Sequence, residues 1–324
     1  MNRSEKTENT LRLSVIVCTY NRASILMECL ESLANQSAAP KDYEVIVVDN
    51  NSTDDTRAQV FQFVSTRENF RLVAESQQGL SSARNRGWHE AKAEWIAYID
   101  DDALAPGNFV ERILFIIDTS DFDCFGGRYV PWYKYGKPGW YRDEYGSSSI
   151  DQSHVGILGR GSLSGGVMVI RKSVLNHLDG FPPFLGMNGD IISYGEETYL
   201  QSRISDEGYR IGYDPDLVIE HLVPIHKTHV TWLLSSAFRR GKVSWKSIRK
   251  EPSAANFFSL FKIMVYDVIY TLIPSTKRLF KGEYFIQNWI IAVFRPQAKN
   301  IGTLIGAVEM LFKRTPENNE VKAE

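Results

Sequence analysis

Cysteine is scarce in this sequence. Its 324 residues include three cysteines, Cys18, Cys29 and Cys124, with no Cys-x-x-Cys pair and no histidine at metal-ligand spacing from them. Cys18 lies inside an apolar run that is typical of a buried strand. The odd number and the scattered positions predict buried free thiols in a reducing compartment rather than a disulfide framework.

An apolar N-terminal run is also missing. Residues 1–10 are polar and mixed in charge, which argues against a cleaved secretory signal and predicts a flexible N-terminus on a cytoplasmic protein. Hydrophobic residues make up 43% and charged residues 23%, proportions that exclude wholesale disorder. We find no internal repeat and no low-complexity tract.

The turn after the first apolar run contains no glycine. It reads Thr19-Tyr20-Asn21-Arg22, and the Gly-x-Gly-x-x-Gly pattern that dinucleotide-dependent dehydrogenases need at this point is absent. A dehydrogenase is therefore excluded.

What the first hundred residues do contain is an alternation of strand and helix signals. Apolar, β-branched runs at 13–18, 44–48, 70–74 and 95–99 predict strands, and helical patterns at 25–33 and 81–92 lie between them. Ser52 is predicted to cap a helix whose first turn holds Asp54 and Asp55. This order predicts parallel strands with right-handed crossovers, as in nucleotide-binding α/β sheets.

The rest of the chain is less regular. Residues 126–162, rich in Gly, Tyr, Trp and Ser, predict a long functional loop whose aromatic rings either stack on sugars or pack as a flap over the sheet. A strand at 165–170, helices near 171–178 and 190–207, and a strand at 209–220 follow. From about residue 231 the pattern is helical and apolar, broken at Pro252, Pro274 and Pro296.

Three adjacent carboxylates, Asp100, Asp101 and Asp102, directly follow the fourth predicted strand. Open α/β sheets build their ligand sites at this end of the strands. Like charges this close repel unless a cation lies among them, and Mg²⁺ or Mn²⁺ prefers such oxygen ligands. An acidic N-terminus of the following helix is the alternative interpretation.

The order of motifs resembles that of the family 2 glycosyltransferases, which have the GT-A fold. The resemblance covers about residues 13–230 and rests on five segments in the same order: Val15-Ile-Val-Cys-Thr-Tyr-Asn-Arg22, Val47-Val-Asp-Asn-Asn-Ser-Thr-Asp-Asp-Thr56, Gly79-Leu-Ser-Ser-Ala-Arg-Asn-Arg-Gly87, Ile99-Asp-Asp-Asp102 and Gly195-Glu-Glu-Thr-Tyr-Leu-Gln-Ser-Arg203. It implies an α/β fold with a mainly parallel, Rossmann-like sheet flanked by helices.

The resemblance also implies roles for individual residues. Asp49 would bind the base or ribose, Asp100 would lie near the ribose, and Asp102 would be the main ligand of Mn²⁺ or Mg²⁺. His221 would be a second metal ligand, with His226 and His229 as weaker candidates. Arg84 would either neutralise the diphosphate or pair with the aspartates, and a solvated surface charge on the helix is the alternative. The remaining donor-binding candidates are Thr19, Tyr20, Asn21, Arg22 and Asp101.

The catalytic base would come from the segment Glu196-Glu197. The family usually carries Glu-Asp here, with the Asp as base, so the resemblance assigns the role to Glu197 although this sequence has Glu at that place. Adjacent helical residues point about 100° apart, so only one carboxylate can face the acceptor. A single base opposite the leaving group suffices for inversion.

These inferences predict a glycosyltransferase that moves a sugar from a nucleoside diphosphate donor, such as a UDP-sugar, to an acceptor hydroxyl in cell-surface polysaccharide or glycolipid synthesis. The acceptor would be a saccharide or a lipid-linked saccharide, and nucleic acid is not an expected partner. A sugar nucleotidyltransferase, which would need a glycine-rich basic turn after the first strand, and an inactive membrane-associated scaffold are the alternatives.

Predicted domains are residues 11–230, divided into a nucleotide-binding half at 11–105 and an acceptor-binding half at 106–230, and a helical extension at 231–324. Charge is unevenly distributed, because residues 221–324 carry 16 Lys and Arg against 7 Asp and Glu, whereas residues 1–220 carry a net −11. The basic, apolar extension predicts peripheral contact with an anionic membrane at its inner face. Lys262 and Asp267 interrupt the apolar run, which argues against a membrane-spanning helix. Packing on the catalytic domain or oligomerisation through these helices are the alternatives to membrane contact.

Overall fold

The computed structural model of the protein describes residues 11–148, 150–189 and 191–312. The predicted flexible N-terminus and the last twelve residues of the predicted extension lie outside the described residues. The chain forms two compact units. The first contains the residues up to 134, 146–192 and 196–223, and the second contains 135–145, 193–195 and the chain from 224 onward. The predicted domain boundaries stay a prediction.

The first half of the first unit has the predicted alternation of strands and helices. Strand β2 is buried along its whole length, which explains its unbroken apolar run. Strands β1, β2, β3 and β4 are all parallel to their neighbours within this group. The elements are β1 (Leu13–Thr19), α1 (Leu26–Ala34), β2 (Tyr43–Asp49), α2 (Thr56–Val64), β3 (Phe70–Ala74), α3 (Leu80–Glu90) and β4 (Trp95–Asp100).

The second half of this unit completes the sheet. Strand β8 runs antiparallel to β4 and to β6, whereas β6 and β9 are parallel, so the sheet is mixed. The strand order is β3-β2-β1-β4-β8-β6-β9-β5, with β7 paired to β9. The elements are β5 (Ala103–Leu104), α4 (Phe109–Thr119), β6 (Cys124–Trp132), β7 (Gly156–Ile157), β8 (Val167–Arg171), α5 (Lys172–Leu178), α6 (Glu196–Asp206) and β9 (Ile211–Leu222).

Apolar side chains cover both faces of the sheet. Val15 and Val17 belong to the core on one face, and Ile16, between them, belongs to the core on the other. Cys29 and Cys124 are buried, Cys18 is half-buried, and all three are free thiols as predicted. Burial raises the pKa of the Cys18 thiol to about 12, so this thiol stays neutral.

The predicted loop at 126–162 is wrong for its first residues. Strand β6 extends to Trp132, and its glycines are required by close packing: a Cβ atom on Gly127 would lie 1.8 Å from the Leu217 carbonyl oxygen. The register between β6 and β9 shifts between Gly126 and Arg128, as at a β-bulge. Glycine here marks an approach of two backbones, whereas the sequence pattern suggested a loop.

The predicted helix cap at Ser52 is also wrong. Helix α2 begins at Thr56, so Asp54 and Asp55 precede its first turn. The Ser52 hydroxyl instead accepts a hydrogen bond from the backbone N–H of Asn21, at 3.0 Å. Ser52 therefore joins the loop after β2 to the loop after β1.

The second unit is built on three long helices, α7 (Val230–Ser247), α8 (Ala254–Phe280) and α9 (Ile286–Phe312). Pro252 precedes the Ser253 cap of α8, so the predicted break there is confirmed. The predicted breaks at Pro274 and Pro296 are wrong, because both prolines lie inside helices. Packing between the helices compensates for the hydrogen bond that each proline removes.

Glycines set the distance between α7 and α9. A Cβ atom on Gly302 would lie 2.1 Å from the Phe238 carbonyl oxygen, and one on Gly306 would lie 2.0 Å from that of Lys242. In the same unit, Asn288 donates hydrogen bonds to the Trp140 carbonyl and the Tyr145 hydroxyl. These two aromatic residues therefore pack against α9, whereas the flap interpretation predicted packing over the sheet.

Candidate active site

Three polar residues lie at the carboxyl edge of the parallel strands. The register pairs Thr19 at the end of β1 with Asp49 at the end of β2, and Cys18 with Asp100 at the end of β4. Asp49 and Thr19 are buried. Parallel strands thus bring residues that are far apart in sequence to one edge, where this class of sheet binds ligands.

The pairing of the short strand β5 with β9 brings a histidine to the aspartates. Ala103 lies opposite His221, and the Leu222 N–H donates to the Asp102 carbonyl at 2.9 Å. His221 Nε2 lies 3.2 Å from Asp102 Oδ1 and 3.4 Å from Asp100 Oδ2. One ligand atom from each of these three side chains lies within 4.8 Å of the others.

The backbone carbonyl of the next residue orients the His221 ring. Its Nδ1 lies 3.0 Å from the Leu222 carbonyl oxygen, which can only accept, so Nδ1 carries the donated proton. Nε2 then faces Asp100 and Asp102, and its lone pair is available to a cation when the ring is neutral, as in metal-binding histidines. The weaker candidates His226 and His229 are in the second unit and do not belong to this acid–histidine group.

Asp101 reports the electrostatic cost of this cluster. Burial, and next the negative charge of Asp102, raise the pKa of Asp101 to about 7. Arg22 partly offsets this charge, because its Nε lies 3.7 Å from Asp101 Oδ1. A divalent cation among two carboxylates and an imidazole would relieve the repulsion, and the oxygen-rich donor set suits Mn²⁺ or Mg²⁺.

Arg84 connects Asp100 to the start of α6. Its buried guanidinium donates from Nη1 to Glu196 Oε1 at 2.8 Å, and Nη2 lies 3.8 Å from Asp100 Oδ1. Burial alone would lower the pKa of Arg84, but the carboxylates of Glu196, Asp100 and Glu197 raise it above its usual value. The burial of Arg84 excludes the interpretation as a solvated surface charge, and its contact with Asp100 agrees with pairing to the aspartates.

Gly165 and Gly166 lie directly against this ion pair. The sequence pattern indicated only that they start a strand. A Cβ atom on Gly166 would lie 2.1 Å from Asp100 Oδ2, and one on Gly165 would lie 2.7 Å from Arg84 Nη2. A third glycine, Gly186, packs against the Glu196 carboxyl group with φ +89°. A pair of adjacent glycines directly before a strand was the only sequence signal for this role.

Glu196 and Glu197 begin α6 in different surroundings. Glu196 is buried against Arg84, and its Oε2 has no hydrogen-bond partner within the described part of the chain. Glu197 is half-buried, and burial followed by the Glu196 charge raises the pKa of Glu197 to about 8. Glu197 is therefore the carboxylate with access to solvent and with a pKa suited to proton transfer near neutral pH.

The other donor-binding candidates lie in the two loops at the sheet edge. Asn21 is exposed, has φ +52° and accepts a hydrogen bond from the Thr53 N–H at 2.8 Å, so its amide shapes the loop. Tyr20 is half-buried next to it. Asp49 Oδ1 accepts from the Ser52 N–H at 3.1 Å.

Asn50, for which the sequence indicated no role, is buried and holds the start of α3. Its Oδ1 accepts from the Gly79 N–H at 2.8 Å, and its Nδ2 donates to the Gln77 carbonyl at 2.8 Å. Because Gly79 directly precedes α3, Asn50 fixes the helix that carries Arg84 relative to the end of β2.

Comparison with known proteins decides the family. The model of "Glycosyl transferase family 2" matches residues 14–179, which is half of the chain. The chain belongs to glycosyl transferase family 2. The resemblance inferred from the motifs, the GT-A fold and the assignment as a glycosyltransferase are thereby confirmed, and a sugar nucleotidyltransferase is set aside.

Two curated relatives of this glycosyltransferase come from Haloferax volcanii. Glycosyltransferase AglE is 28% identical over 232 residues, which cover 71% of this chain and 72% of the relative. The glucosyl-dolichyl phosphate glucuronosyltransferase is 26% identical over 238 residues, 71% of this chain and 75% of the relative. Among solved structures, the mannosyltransferase PcManGT from Pyrobaculum calidifontis, in complex with GDP-Man and Mn²⁺, matches with TM-score 0.61 and 20% identity, over 91% of this chain and 87% of that one.

Proposed function

We propose that this glycosyltransferase is a metal-dependent, inverting enzyme that transfers a sugar from a nucleoside diphosphate to an acceptor hydroxyl in one displacement. One observation carries this proposal. Glu197 is a half-buried carboxylate with a raised pKa in the first turn of α6, and Arg84 links that helix to the group formed by Asp100, Asp102 and His221. A base and a cation site are thereby held by one buried ion-pair network.

Glu197 is the base in this proposal. Its ionised carboxylate accepts the proton of the acceptor hydroxyl while the hydroxyl oxygen attacks the anomeric carbon. The bond between that carbon and the phosphate oxygen breaks, and its electron pair leaves with the diphosphate. Since attack and departure occur on opposite faces, the anomeric configuration inverts.

The leaving group needs charge neutralisation rather than a proton. Mn²⁺ or Mg²⁺ held by Asp102 and His221, with Asp100 as a third donor, would neutralise and orient the diphosphate when bound. The complex of PcManGT, a protein of the same fold, with GDP-Man and Mn²⁺ supports a divalent cation as part of the proposed reaction. Asp49 and Thr19 at the strand ends bind the nucleoside, with Tyr20, Asn21, Arg22 and Asp101 lining the same edge.

We infer a lipid-linked or polymeric saccharide as the acceptor. The name of the glucosyl-dolichyl phosphate glucuronosyltransferase, which matches 71% of this chain, supports a lipid-linked acceptor. Work on such an acceptor would place the enzyme at the inner face of the cell membrane as a peripheral protein, consistent with the net +9 of residues 221–324.

A donor panel tests the proposal. The purified enzyme is incubated with UDP- and GDP-sugars in Mn²⁺, Mg²⁺ or EDTA, and the released nucleoside diphosphate is measured. We expect release from one donor class with metal and none in EDTA. Full release in EDTA would remove the metal from the mechanism. No release from any donor, with and without saccharide acceptors, would favour the inactive scaffold.

A further inference from the structure

Helix α8 has an outward surface that is apolar along most of its length. The 25 residues from Asn256 to Phe280 contain an 18-residue window with mean hydropathy 1.5, long and apolar enough to cross a membrane. No residue of that window is buried inside the described part of the protein. The large apolar side chains exposed on α8 are Phe258, Phe261, Ile263, Val265, Tyr266, Val268, Ile269, Tyr270, Leu272, Ile273 and Phe280.

The acidic residue in the middle of α8 does not belong to this outward surface. Asp267 is half-buried, and its Oδ2 accepts a hydrogen bond from Asn300 Nδ2 on α9 at 2.9 Å. One of the two charges that interrupt the apolar run in the sequence is therefore turned inward. The other, Lys262, is exposed, and a lysine can extend its ammonium group to a headgroup while its stem stays among apolar atoms.

Basic residues lie at both ends of the apolar surface. Lys246, Arg249 and Lys250 precede α8, and Lys277, Arg278 and Lys281 lie at its C-terminal end, whereas the nearby acids are Glu251 and Glu283. An apolar helix face with basic ends matches the interfacial region of an anionic bilayer, where acyl chains meet negatively charged headgroups.

The packing of α8 on α9 decides its orientation. Trp289 Nε1 donates to Thr276 Oγ1 at 3.0 Å, and Gln297 Nε2 donates to the Met264 carbonyl at 3.3 Å, so α9 runs antiparallel to α8 along most of its length. A membrane-spanning α8 would carry the charged residues of α9 into hydrocarbon at high cost. These residues are Arg295, Lys299 and Glu309.

We propose that α8 lies in the plane of an anionic membrane with its outward face among the upper acyl chains, and that α9 supports it from the protein side. The inference rests on the proposed peripheral location and identifies the surface that makes the contact. A helix of 27 residues is about 40 Å long, so the contact is a line of apolar side chains rather than a single anchor.

The test is sedimentation of the purified full-length chain with two kinds of vesicle, one of phosphatidylcholine alone and one that also contains about 30% phosphatidylglycerol. The second kind carries a negative surface charge. We expect binding to the anionic vesicles that weakens at high salt. Phe261→Glu and, separately, Ile269→Glu should lower the partition coefficient about tenfold, because each withholds an apolar side chain from the bilayer. The matched control is Phe61→Glu on α2, since Phe61 is 68% and Phe261 66% exposed, and it should change binding less than twofold.

Three outcomes would overturn the inference. Parental binding by both Phe261→Glu and Ile269→Glu would remove α8 from the contact. A dimer in vesicle-free buffer that Phe261→Glu dissociates would assign the surface to a second copy of the chain. Resistance of the bound protein to alkaline extraction would indicate a spanning helix.

Donor hydrolysis in vesicle-free buffer separates this inference from the proposed reaction. It should be equal in the parental protein and in Phe261→Glu, which lies outside the catalytic group. If hydrolysis is absent in both while vesicle binding follows the expected pattern, the proposed reaction fails and the membrane surface stands.

Discussion

Glu196 and Glu197 are adjacent in sequence and chemically identical, yet their surroundings assign them different tasks. Glu196 is buried and bound to Arg84, whereas Glu197 is half-buried and has a pKa raised to about 8. We expect Glu197→Gln to keep the fold and donor binding and to lower kcat by about 10²–10⁴-fold, because the amide cannot accept the acceptor proton. Steady-state kinetics and donor titration measure the two effects separately.

Glu196→Gln is the control for that substitution. It should reduce kcat less, but it should destabilise the fold, because it removes the partner of a buried guanidinium; the usual cost of breaking such a pair is about 3–5 kcal/mol. Thermal unfolding distinguishes the two variants. An inactive, stable Glu196→Gln together with a nearly active Glu197→Gln would transfer the role of base to Glu196.

The raised pKa of Glu197 also predicts the pH dependence of the reaction. A general base acts in its ionised form, so activity is lost as pH falls below the pKa. We expect kcat/KM to rise about tenfold per pH unit between pH 6 and 7, to reach half its maximum near pH 8 and to level off near pH 9. A profile that is flat from pH 6 to 9 in the parental enzyme would contradict Glu197 as the base. The residual activity of Glu197→Gln should lack this rise.

At the scale of secondary-structure elements, the segment before β8 fixes the position of Asp100. Gly166→Ala would place a Cβ atom 2.1 Å from Asp100 Oδ2, so the carboxylate must move away from Asp102 and His221. We expect weaker metal binding and at least about tenfold lower activity, since displaced ligands commonly cost 10–100-fold. The metal concentration that gives half-maximal activity is the measurement.

Gly159→Ala is the matched control for this substitution. Gly159 belongs to the same unit, does not have a positive φ, and a Cβ atom there meets no other atom within 4 Å. It should keep parental activity and metal requirement. Equal effects of the two substitutions would mean that the glycine-to-alanine change acts through backbone freedom and not through Asp100.

Sequence patterns predicted the elements whose burial is uniform. Strand β2 is buried at every residue and α1 on one face, so their apolar periods are strong and their bounds were predicted to within one or two residues. The patterns failed where tertiary contacts override local preference. Gly127 in β6 and Pro274 in α8 look like breakers, but the first permits contact with Leu217 and the second lies in a helix held by α9.

The site could be predicted in part for a similar reason. Asp100, Asp101 and Asp102 are adjacent and follow a strand, so their cluster is visible in the sequence. The contact between Arg84 and Glu196 joins residues 112 positions apart, and the role of Gly166 depends on which side chain crosses its Cα atom. Neither contact follows from a local sequence period. The family resemblance could therefore point to Arg84 and to the aspartates but not to Glu196 as its partner.

At the scale of the whole molecule, charge and apolar surface divide along the chain. Residues 1–220 carry a net −11 and hold every residue of the candidate site except His221, whereas residues 221–324 carry a net +9 and include the exposed surface of α8. Under the proposed function, the acidic part of the chain would attract the cation that holds a diphosphate donor, and the basic, apolar part would suit a membrane that carries the acceptor.

Metal binding should stabilise the folded protein as a whole. A ligand that binds only the folded state adds about 2.7 kcal/mol of stability at a concentration of 100 Kd. For a protein of this size, 1 kcal/mol raises Tm by about 2–4 °C, so saturating Mn²⁺ should raise Tm by about 5–10 °C and EDTA should reverse the rise. Differential scanning fluorimetry over a Mn²⁺ series measures it.

Two variants determine whether that stabilisation belongs to the proposed site. Asp102→Asn should remove most of the shift, because it replaces a buried carboxylate ligand 3.2 Å from His221 with a neutral amide. Asp118→Asn, at an exposed carboxylate that pairs with Arg12, should leave the shift unchanged. If the parental Tm does not respond to Mn²⁺, or if Asp102→Asn responds as the parent does, then the cation does not bind between β4 and β9. The protein's own cations would then have to neutralise the diphosphate. Arg22 is one such cation, because its Nε lies 3.7 Å from Asp101 Oδ1 and its side chain is partly exposed.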